Sequence, residues 1–575
     1  MAQTIEKSLT EEQQKIINEI VDNEPGVYAI EAVAGSGKSF TIFEAIAHIK
    51  EKEPNAKILY LVFNKANQLD AQRKLRQYEN WLVPVKVKTA HSFANEKWHK
   101  TAGDYTVIDR FDWDSSIRPE FMKSYDPNIK YSKRAPIDWL LNKYENARCL
   151  MKSFIEDMYR HWEDDYDGPD KPKECELVGT KGQKSYRYGI PISIYSCVQR
   201  AHIDIFKRLY EKHEKDKMFT HGMYLKGAAY SSLSGGSDFD YVFFDEAQDA
   251  SYFMLKLLDK QNIGKIYFIG DERQSIYSFG AANENVFKTM DFDKKYTLTK
   301  SFRFGHDVAD LATEIVSMNS DHEVFGTEQP EIGPNDTVAY LYRTNATLFR
   351  EALDLAYDAK LRGEKLKIDL MRRQGDDDIS VYTEILGFLG LFYLFNGKSY
   401  YYRKYRQEFP EYTPPSLSAF EQRLRNRTCG ESFMDIYNEQ YDALSDDIHN
   451  ILQYALKEDN FIEKYLAFKE CTNQAFPTRT ITMVTMHRSK GMEWDIVYIR
   501  EATRLYYKDK EGAYRRNTNY MQELNLAYVA VTRARKCLDA TLLREELEKE
   551  HSKFHSKSLA IHNGKYTKDL TQGRL

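Results

Sequence analysis

The chain is 575 residues long, which is enough for about four domains at the usual domain size. Hydrophobic residues make up 42% and charged residues 29%, a balance that excludes disordered and fibrous proteins. The formal net charge is −5 at pH 7, so any contact with nucleic acid has to come from local basic patches.

Three further features narrow the class of protein. The polar N-terminus lacks the apolar core of a signal peptide. The longest apolar run, 385–395, has eleven residues, whereas a membrane-spanning helix needs about 20, so we interpret the run as a buried helix. The six cysteines are scattered and never form a C-x-x-C pair, which argues against a disulfide framework or a zinc site. We therefore expect a cytoplasmic protein, or a nuclear one in a eukaryote.

Alternating strand and helix patterns predict two α/β regions, each interrupted by a mostly helical insertion. Apolar strand patterns occur at 27–32, 57–63, 241–244, 480–485 and 495–499, and helical stretches lie between the first of them. Such alternation is typical of a parallel sheet with crossover helices. The predicted division is a first domain at 1–103 and 226–290 with an insertion at 104–225, and a second domain at 291–395 and 477–575 with an insertion at 396–476.

The sequence AVAGSGKS, from Ala32 to Ser39, matches the phosphate-binding P-loop pattern except that Ala32 stands at the first glycine position. In such a loop, backbone N–H groups and a helix N-terminus surround the phosphates. The lysine reaches the β- and γ-phosphates, and the last hydroxyl binds Mg²⁺. The segment follows an apolar strand and precedes a helix, as this function requires. The predicted phosphate-binding residues are Ala34, Gly35, Ser36, Gly37, Lys38 and Ser39.

A later strand ends in the acidic sequence DEAQD, which begins with Asp245 and Glu246. Asp245 is suited to bind Mg²⁺ together with Ser39, and Glu246 is suited to orient and deprotonate an attacking water. A solvated acidic turn is the alternative interpretation of the segment taken alone. Its occurrence with a P-loop favours hydrolysis of Mg-ATP.

Further segments resemble the motifs of superfamily-one helicases of the UvrD/Rep/PcrA type, and they follow the order of that family. Their wording is most similar to the F-box DNA helicase branch, although we expect no F-box segment before the motor. The resemblance implies two RecA-like P-loop domains in tandem, with ATP at the seam between them. The matching segments are 9–13, 63–66, 89–92, 270–277, 298–304, 485–495 and 525–534.

The same resemblance implies roles for residues around the nucleotide. Gln13 is expected to contact adenine, Phe302 to stack on it, and Glu493 to contact the ribose. Gln274 stands at the position of the γ-phosphate sensor. Arg303 and Arg533, both in the second α/β region, are expected to reach across the seam as arginine fingers, which stabilise the charge of a transferring phosphoryl group. A surface salt bridge is the alternative role for either arginine.

The resemblance also implies a path for single-stranded DNA. Aromatic side chains stack on bases regardless of sequence, and polar ones contact the backbone. Two segments that mix basic and aromatic residues, 121–152 and 400–406, are further candidates for phosphate contact. Amphipathic helices with a solvated charged face are the alternative for both segments, and a core position is the alternative for Phe63. The predicted DNA-binding residues are Phe63, Asn64, Thr89, His91, Tyr277, Phe279, Thr485 and His487.

Three departures from the family pattern bear on activity. The motif beginning at Gly270 closes with FGAA instead of an aromatic residue followed by Arg-Gly-Ala, which removes one expected cation near the strand. The second insertion is much shorter than in UvrD or Rep. We find no strand-separating hairpin pattern after the last motif, where 544–551 predicts a charged helix. These departures favour translocation over efficient unwinding.

The sequence predicts an ATP-dependent, Mg²⁺-requiring helicase and translocase that moves 3′ to 5′ on single-stranded DNA and acts on DNA with a 3′ single-stranded tail. Two alternatives stay open. One is a translocase that strips proteins from single-stranded DNA and opens little duplex. The other is an ATP-driven switch that binds nucleic acid without moving along it.

Overall fold

The computed structural model of the protein describes residues 9–63, 65–76, 84–108, 186–187, 190–191, 207–231, 239–259, 263–276, 286–318, 323–370, 454, 458, 460–508 and 514–554. The apolar run at 385–395, the basic segments at 121–152 and 400–406, and most of both predicted insertions lie outside these ranges. Within them, every helix is too short or too polar to cross a membrane.

The strands and helices are numbered in chain order. The strands are β1 (Gly26–Ala32), β2 (Ile58–Val62), β3 (Lys86–Thr89), β4 (Thr106–Val107), β5 (Tyr186–Arg187), β6 (Ile190–Pro191), β7 (Met218–Phe219), β8 (Phe239–Asp245), β9 (Ile263–Gly270), β10 (Lys294–Leu298), β11 (Lys300–Gly305), β12 (Phe325–Thr327), β13 (Val338–Tyr342), β14 (Leu366–Leu370), β15 (Arg479–Thr485), β16 (Trp494–Ile499), β17 (Tyr506–Lys508), β18 (Tyr514–Arg516) and β19 (Ala534–Asp539). The helices are α1 (Glu11–Asp22), α2 (Lys38–Lys52), α3 (Lys65–Leu75), α4 (Ala90–Ala102), α5 (His221–Tyr230), α6 (Tyr252–Asp259), α7 (Val286–Thr289), α8 (His306–Ser317), α9 (Asn345–Leu361), α10 (Phe461–Thr472), α11 (Tyr520–Val531) and α12 (Thr541–Phe554).

The first sheet has six parallel strands in the order β10-β1-β9-β8-β2-β3. Side chains alternate between the two faces of the sheet along each strand, and both faces are covered by helices. One hydrophobic cluster contains Leu59, Leu61 and Phe244 and packs against α4, α5 and α6. The other contains Ile58 and Tyr60 and packs against α1 and α2. Buried strands of this kind are typical of a doubly covered α/β sheet.

The second sheet has five parallel strands in the order β14-β15-β13-β16-β19. Its main hydrophobic cluster joins strand residues such as Leu341 and Val497 to α8 and α11. Two parallel α/β sheets confirm the predicted fold class. We refer to the first sheet with its helices and the loops at its strand ends as the first lobe. The second lobe is the second sheet with its helices and the strand pair β11–β12, whose Phe304 belongs to the same hydrophobic cluster.

Two elements lie elsewhere than the predicted division placed them. Strand β10, which that division gave to the second domain, hydrogen-bonds to β1 as an edge of the first sheet. Helix α10, which it gave to the second insertion, packs on α9 of the second lobe, with the rings of Phe349 and Phe468 6.0 Å apart. Both differences arise because sheet pairing and helix packing are made with segments distant in the sequence.

The lobes share part of their core. Val33 and Ala34 of the P-loop and Ile276 of the first lobe belong to the same buried cluster as Phe304 and Tyr528 of the second lobe. The P-loop is therefore packed between the lobes and does not face open solvent on all sides.

Candidate active site

Three adjacent strands of the first sheet bring the predicted catalytic segments together. Strands β1, β9 and β8 are neighbours, so their carboxyl ends lie side by side at one edge of the sheet. The P-loop follows β1, Asp245 ends β8, and Asp271 follows β9. The carboxyl edge of an open parallel sheet is the general place for a ligand in this fold class.

The P-loop leaves its backbone amides available at the start of α2. Gly35 and Gly37 both have a φ of +75°, a left-handed conformation that glycine adopts without strain. Gly37 is the residue before α2, and no side chain caps the helix there. The Ser36 hydroxyl is buried, and none of the described residues hydrogen-bonds to it. Uncapped N–H groups with an unsatisfied hydroxyl suit a phosphate chain.

Lys38 contacts the two acidic residues at the end of β8, Asp245 and Glu246. Its Nζ donates to Glu246 Oε1 at 2.5 Å and lies 3.6 Å from Asp245 Oδ1. Glu246 has a φ of +56°, which costs free energy for a residue with a Cβ and occurs mainly at functional sites. The other carboxylate oxygen of Glu246 accepts from Gln248 Nε2 at 2.5 Å. Glu246 is therefore held on one side by Lys38 and on the other by Gln248.

The charges of this cluster shift its pKa values in different directions. Burial alone would lower the pKa of Lys38, but Glu246 and Asp245 outweigh burial and raise it. Burial alone would raise the pKa of Glu246, but Lys38 and then Lys490 outweigh it and lower that pKa to about 2. Burial raises the pKa of Asp245, against the opposing charge of Lys38. Glu246 is the stronger partner of the lysine and carries a full negative charge at neutral pH.

The two predicted metal ligands are adjacent. Tyr60 on β2 donates its hydroxyl to Asp245 Oδ2 at 2.7 Å, and the same hydroxyl is hydrogen-bonded to the Ser39 side chain. Ser39 and Asp245 therefore both interact with one tyrosine hydroxyl. Oxygen donors of this type fit Mg²⁺, which takes one or two protein ligands beside phosphate and water.

The residues predicted to contact adenine lie together at the start of α2. Gln13 makes a reciprocal capping box with Thr10, and its Nε2 donates to Thr41 Oγ1 at 3.1 Å. A Cβ added to Gly37 would lie 3.1 Å from Gln13 Nε2 and 3.7 Å from the ring of Phe302. Phe302 is 47% exposed, so part of its ring is accessible to a flat ligand.

Arg303 touches the P-loop from the second lobe. The Phe302 amide donates to Gly35 O at 2.8 Å, and a Cβ added to Gly35 would lie only 2.5 Å from Arg303 Cβ. Arg303 Nε donates to Glu493 Oε2 at 2.7 Å, and its Nη1 donates to Thr532 O at 3.1 Å. The predicted arginine finger and the predicted ribose contact are thus paired with each other here.

Arg533 lies deeper in the second lobe, with 1% of its surface exposed. It donates to Val529 O at 2.8 Å, Met492 O at 3.0 Å and Thr532 Oγ1 at 3.0 Å. In the part of the chain that the structure describes, no carboxylate lies within ion-pair distance of it. Burial, and then the charge of Arg303, lowers the pKa of Arg533 to about 9. A buried cation held by neutral groups attracts an anion that enters the seam.

Gln274 lies in the short turn Glu272–Gln274 after β9. Its Nε2 donates to Asp271 Oδ2 at 3.0 Å. The Asp271 amide donates to Gln248 Oε1 at 3.2 Å, and Gln248 in turn holds Glu246. The sensor position and the general-base position are therefore linked through one glutamine side chain.

The predicted DNA-binding residues divide between the lobes. On the first lobe Phe63 is 38% exposed, and Thr89 caps α4 by accepting from the Ser92 amide at 3.0 Å. His91 packs edge-to-face on His221, with ring centroids 5.7 Å apart.

On the second lobe, β15 ends at Thr485, which is buried, and His487 lies two residues after the strand. The other three predicted residues, Asn64, Tyr277 and Phe279, lie outside the described residues. The predicted DNA-binding residues therefore lie on both lobes. A DNA strand bound by both groups would move whenever the lobes change their relative position.

Several residues of the site were given no role in the sequence analysis. Tyr60 lies inside a buried strand and Tyr528 inside a buried helix, so both have the pattern of core residues, although Tyr528 belongs to the matching segment 525–534. Lys490 belongs to the second lobe, yet its Nζ donates to Asp249 Oδ2 and to Gln274 O, both at 2.5 Å. The only sequence signal for Lys490 is its position inside the segment 485–495. Gln248 was visible as the glutamine of DEAQD, without an assigned role.

Comparison with known proteins finds two matching family models. The model of the UvrD/REP helicase N-terminal domain matches residues 9–296, and that of the UvrD-like helicase C-terminal domain matches residues 199–545. The chain is similar to F-box DNA helicase protein 1 of Schizosaccharomyces pombe, with 26% identity over 579 residues that cover 92% of this chain and 57% of that protein. It is similar to F-box DNA helicase 1 of Gallus gallus, with 26% identity over 586 residues that cover 94% and 50%. The chain thus spans about half the length of the curated relatives it matches.

Proposed function

Because this chain belongs to the UvrD-like helicase family, as its motifs predicted, we propose that it hydrolyses Mg-ATP between its lobes and uses the cycle to move 3′ to 5′ along single-stranded DNA. It would then open duplexes that carry a 3′ single-stranded tail. One observation carries the proposal: Lys38, Asp245 and Glu246 of the first lobe lie at the seam where Arg303 and Arg533 of the second lobe approach the P-loop.

The chemistry follows from an exchange of partners at Lys38. Phosphate oxygens of ATP would take Lys38, which Glu246 now holds, and the freed carboxylate would accept a proton from the attacking water. Ser39 and Asp245 would hold Mg²⁺, which neutralises phosphate charge when bound. Gln248 keeps Glu246 oriented during this exchange.

The arginines make hydrolysis depend on closure of the seam. Arg303 is held by Glu493, and Arg533 is held by neutral acceptors, so each has capacity for an incoming anion. An arginine finger contributes on the order of 10³ to 10⁵ in rate. Since both arginines belong to the second lobe, the lobes must approach each other in each cycle, and DNA-binding residues on the two lobes would move with them.

The decisive experiment compares ATP turnover without nucleic acid and with single-stranded DNA, RNA or duplex DNA. We expect single-stranded DNA to stimulate turnover most, and turnover to rise with strand length until a plateau. Equal turnover with and without oligonucleotide overturns the proposal. Stimulation that is independent of strand length favours a stationary ATP switch.

Polarity is measured separately, with duplexes that carry either a 3′ or a 5′ tail. We expect opening from the 3′ tail, and opening from a 5′ tail alone contradicts the assigned direction. Displacement of a bound protein from single-stranded DNA without duplex opening would identify the chain as a stripping translocase.

A further inference from the structure

The turn that carries Gln274 is bound by the second lobe at three points. Asn525 Nδ2 donates to Ser275 O at 2.9 Å, and Lys490 Nζ donates to Gln274 O at 2.5 Å. Tyr528 donates its hydroxyl to Asp271 Oδ2 at 3.0 Å. Every residue from Asp271 to Ser275 is in the first lobe, so these contacts can form only when the second lobe packs against the first.

Tyr528 contacts both the P-loop and the turn that carries Gln274. Its hydroxyl is the acceptor for the Ala34 amide of the P-loop at 3.2 Å while it donates to Asp271. The same oxygen of Asp271, Oδ2, also accepts from Gln274 Nε2 at 3.0 Å. One phenol therefore links the P-loop to the side chain of Gln274 through a single carboxylate.

The phenol is well suited to this double role. Tyr528 is 1% exposed, and burial, followed by the charge of Asp271, raises its pKa, so the hydroxyl stays protonated and can donate. Its ring lies 5.7 Å from the guanidinium carbon of Arg273, which is itself paired with Asp271 Oδ1 at 2.7 Å. The ring and the hydroxyl are thus fixed by separate contacts.

Helix α11 makes the link rigid. Asn525 and Tyr528 are three residues apart and therefore lie on one face of the helix, toward the first lobe. Arg533 follows the end of the same helix and hydrogen-bonds back to Val529 O. A displacement of α11 therefore moves Tyr528 and Arg533 together.

We propose that Tyr528 is a positioning residue for ATP hydrolysis. When the second lobe packs against the first, the Tyr528 hydroxyl holds Asp271, and through Asp271 also Gln274, in a fixed position relative to the P-loop. The inference rests on the proposed function, because it concerns the efficiency of the same site. Tyr528 itself contacts neither the phosphates nor water in this role.

The test is Tyr528→Phe, which keeps the ring over Arg273 and removes only the hydroxyl. We expect DNA-stimulated kcat to fall about tenfold, as for the loss of one well-placed buried hydrogen bond, and the KM for ATP to change less than about threefold. Tyr520→Phe is the matched control, because Tyr520 lies on the same helix and its hydroxyl faces Met318 of its own lobe. This control should keep wild-type turnover.

A double-mutant cycle separates positioning from a general structural effect. If Tyr528 acts through Gln274, Tyr528→Phe adds little to the loss already caused by Gln274→Ala. Fully multiplicative losses in the double mutant overturn the inference, and so does a Tyr528→Phe variant with wild-type kcat. If Tyr528→Phe does not fold, Asp271→Asn replaces it, because it alters the same carboxylate that joins Tyr528 to Gln274, and unchanged kcat in that variant also overturns the inference.

Failure of the inference is distinguishable from failure of the proposed function. If the wild-type protein shows no turnover that depends on DNA, the function is wrong. If the wild type is stimulated and Tyr528→Phe behaves like Tyr520→Phe, only the positioning role is wrong.

Discussion

At the scale of single residues, the ion pair between Lys38 and Glu246 is the central contact of the site. Lys38→Ala removes the cation that phosphates need and leaves two carboxylates close together, so we expect stimulated ATP turnover to fall at least about 100-fold. The exposed Lys52→Ala at the other end of α2 is the control and should keep full turnover. Turnover within threefold of wild type in Lys38→Ala would remove this residue from the site.

Two histidines give the protein a defined sensitivity to acid. Burial, together with the charge of His221 in one case and of Arg343 in the other, lowers the pKa of His91 and His487 to about 4. An unfolded histidine titrates near 6.5, so between pH 6.5 and 4 the unfolded chain binds more protons than the folded chain. Stability contributed by the neutral rings is therefore present above pH 6.5 and is lost as the pH falls toward 4.

The lowered pKa values of the two histidines predict how thermal stability changes with pH. The thermal midpoint of the wild type should fall between pH 7 and pH 5, and His91→Asn and His487→Asn should each make that fall smaller. His306→Asn, at an exposed position, is the control for the substitution itself, and both variants are compared with it. An identical fall in all four proteins would show that other groups control the acid sensitivity.

At the scale of secondary-structure elements, the P-loop and β11 pack closely against each other. A Cβ at Gly35 would lie 2.5 Å from Arg303 Cβ and 2.7 Å from Ser301 Oγ. We expect Gly35→Ala to push β11 away from the P-loop and lower ATP turnover more than about tenfold, since the arginine finger then loses its position.

A second glycine separates this effect from backbone strain. Gly363 has a φ of +68°, similar to Gly35, but no atom lies within 4 Å of an added Cβ. Gly363→Ala should therefore cost only about 1–2 kcal/mol of stability, from the left-handed backbone, and leave turnover intact. Equal turnover in both variants would show that the lobes tolerate separation at β11.

At the scale of the whole molecule, the lobes are joined by a buried ion pair between Lys490 and Asp249. Its side chains are 10% and 3% exposed, and the atoms are 2.5 Å apart. Asp249→Ala leaves a buried ammonium with the Gln274 carbonyl and without its carboxylate, so we expect a loss of about 3 kcal/mol or more in the free energy of unfolding.

Urea unfolding of the ligand-free protein provides the measurement. The control is Lys360→Ala, because the Lys360–Glu470 pair is about half exposed and lies within the second lobe. We expect the control to match the wild type. An Asp249→Ala variant as stable as the control would mean that this pair does not hold the lobes together.

The sequence by itself determined the features that depend on one short, continuous segment of the chain. A strand, a glycine-rich turn and a helix at 27–52 identify the P-loop, and an apolar strand before Asp245 identifies the acidic site, because local backbone patterns need no distant partner. Two α/β lobes follow from the same alternation. The order of the motifs along the chain indicated the helicase family.

Only the tertiary structure decided which residues meet. The strand order placed Asp245 and Asp271 beside the P-loop, gave β10 to the first sheet, and let Glu246 hold Lys38. Docking of the lobes brought Tyr528 to Ala34, 494 positions away in the chain. Tyr60 and Tyr528 look like core residues in the sequence, because a buried tyrosine shows its role only through the partner of its hydroxyl, and that partner is chosen by packing between distant segments.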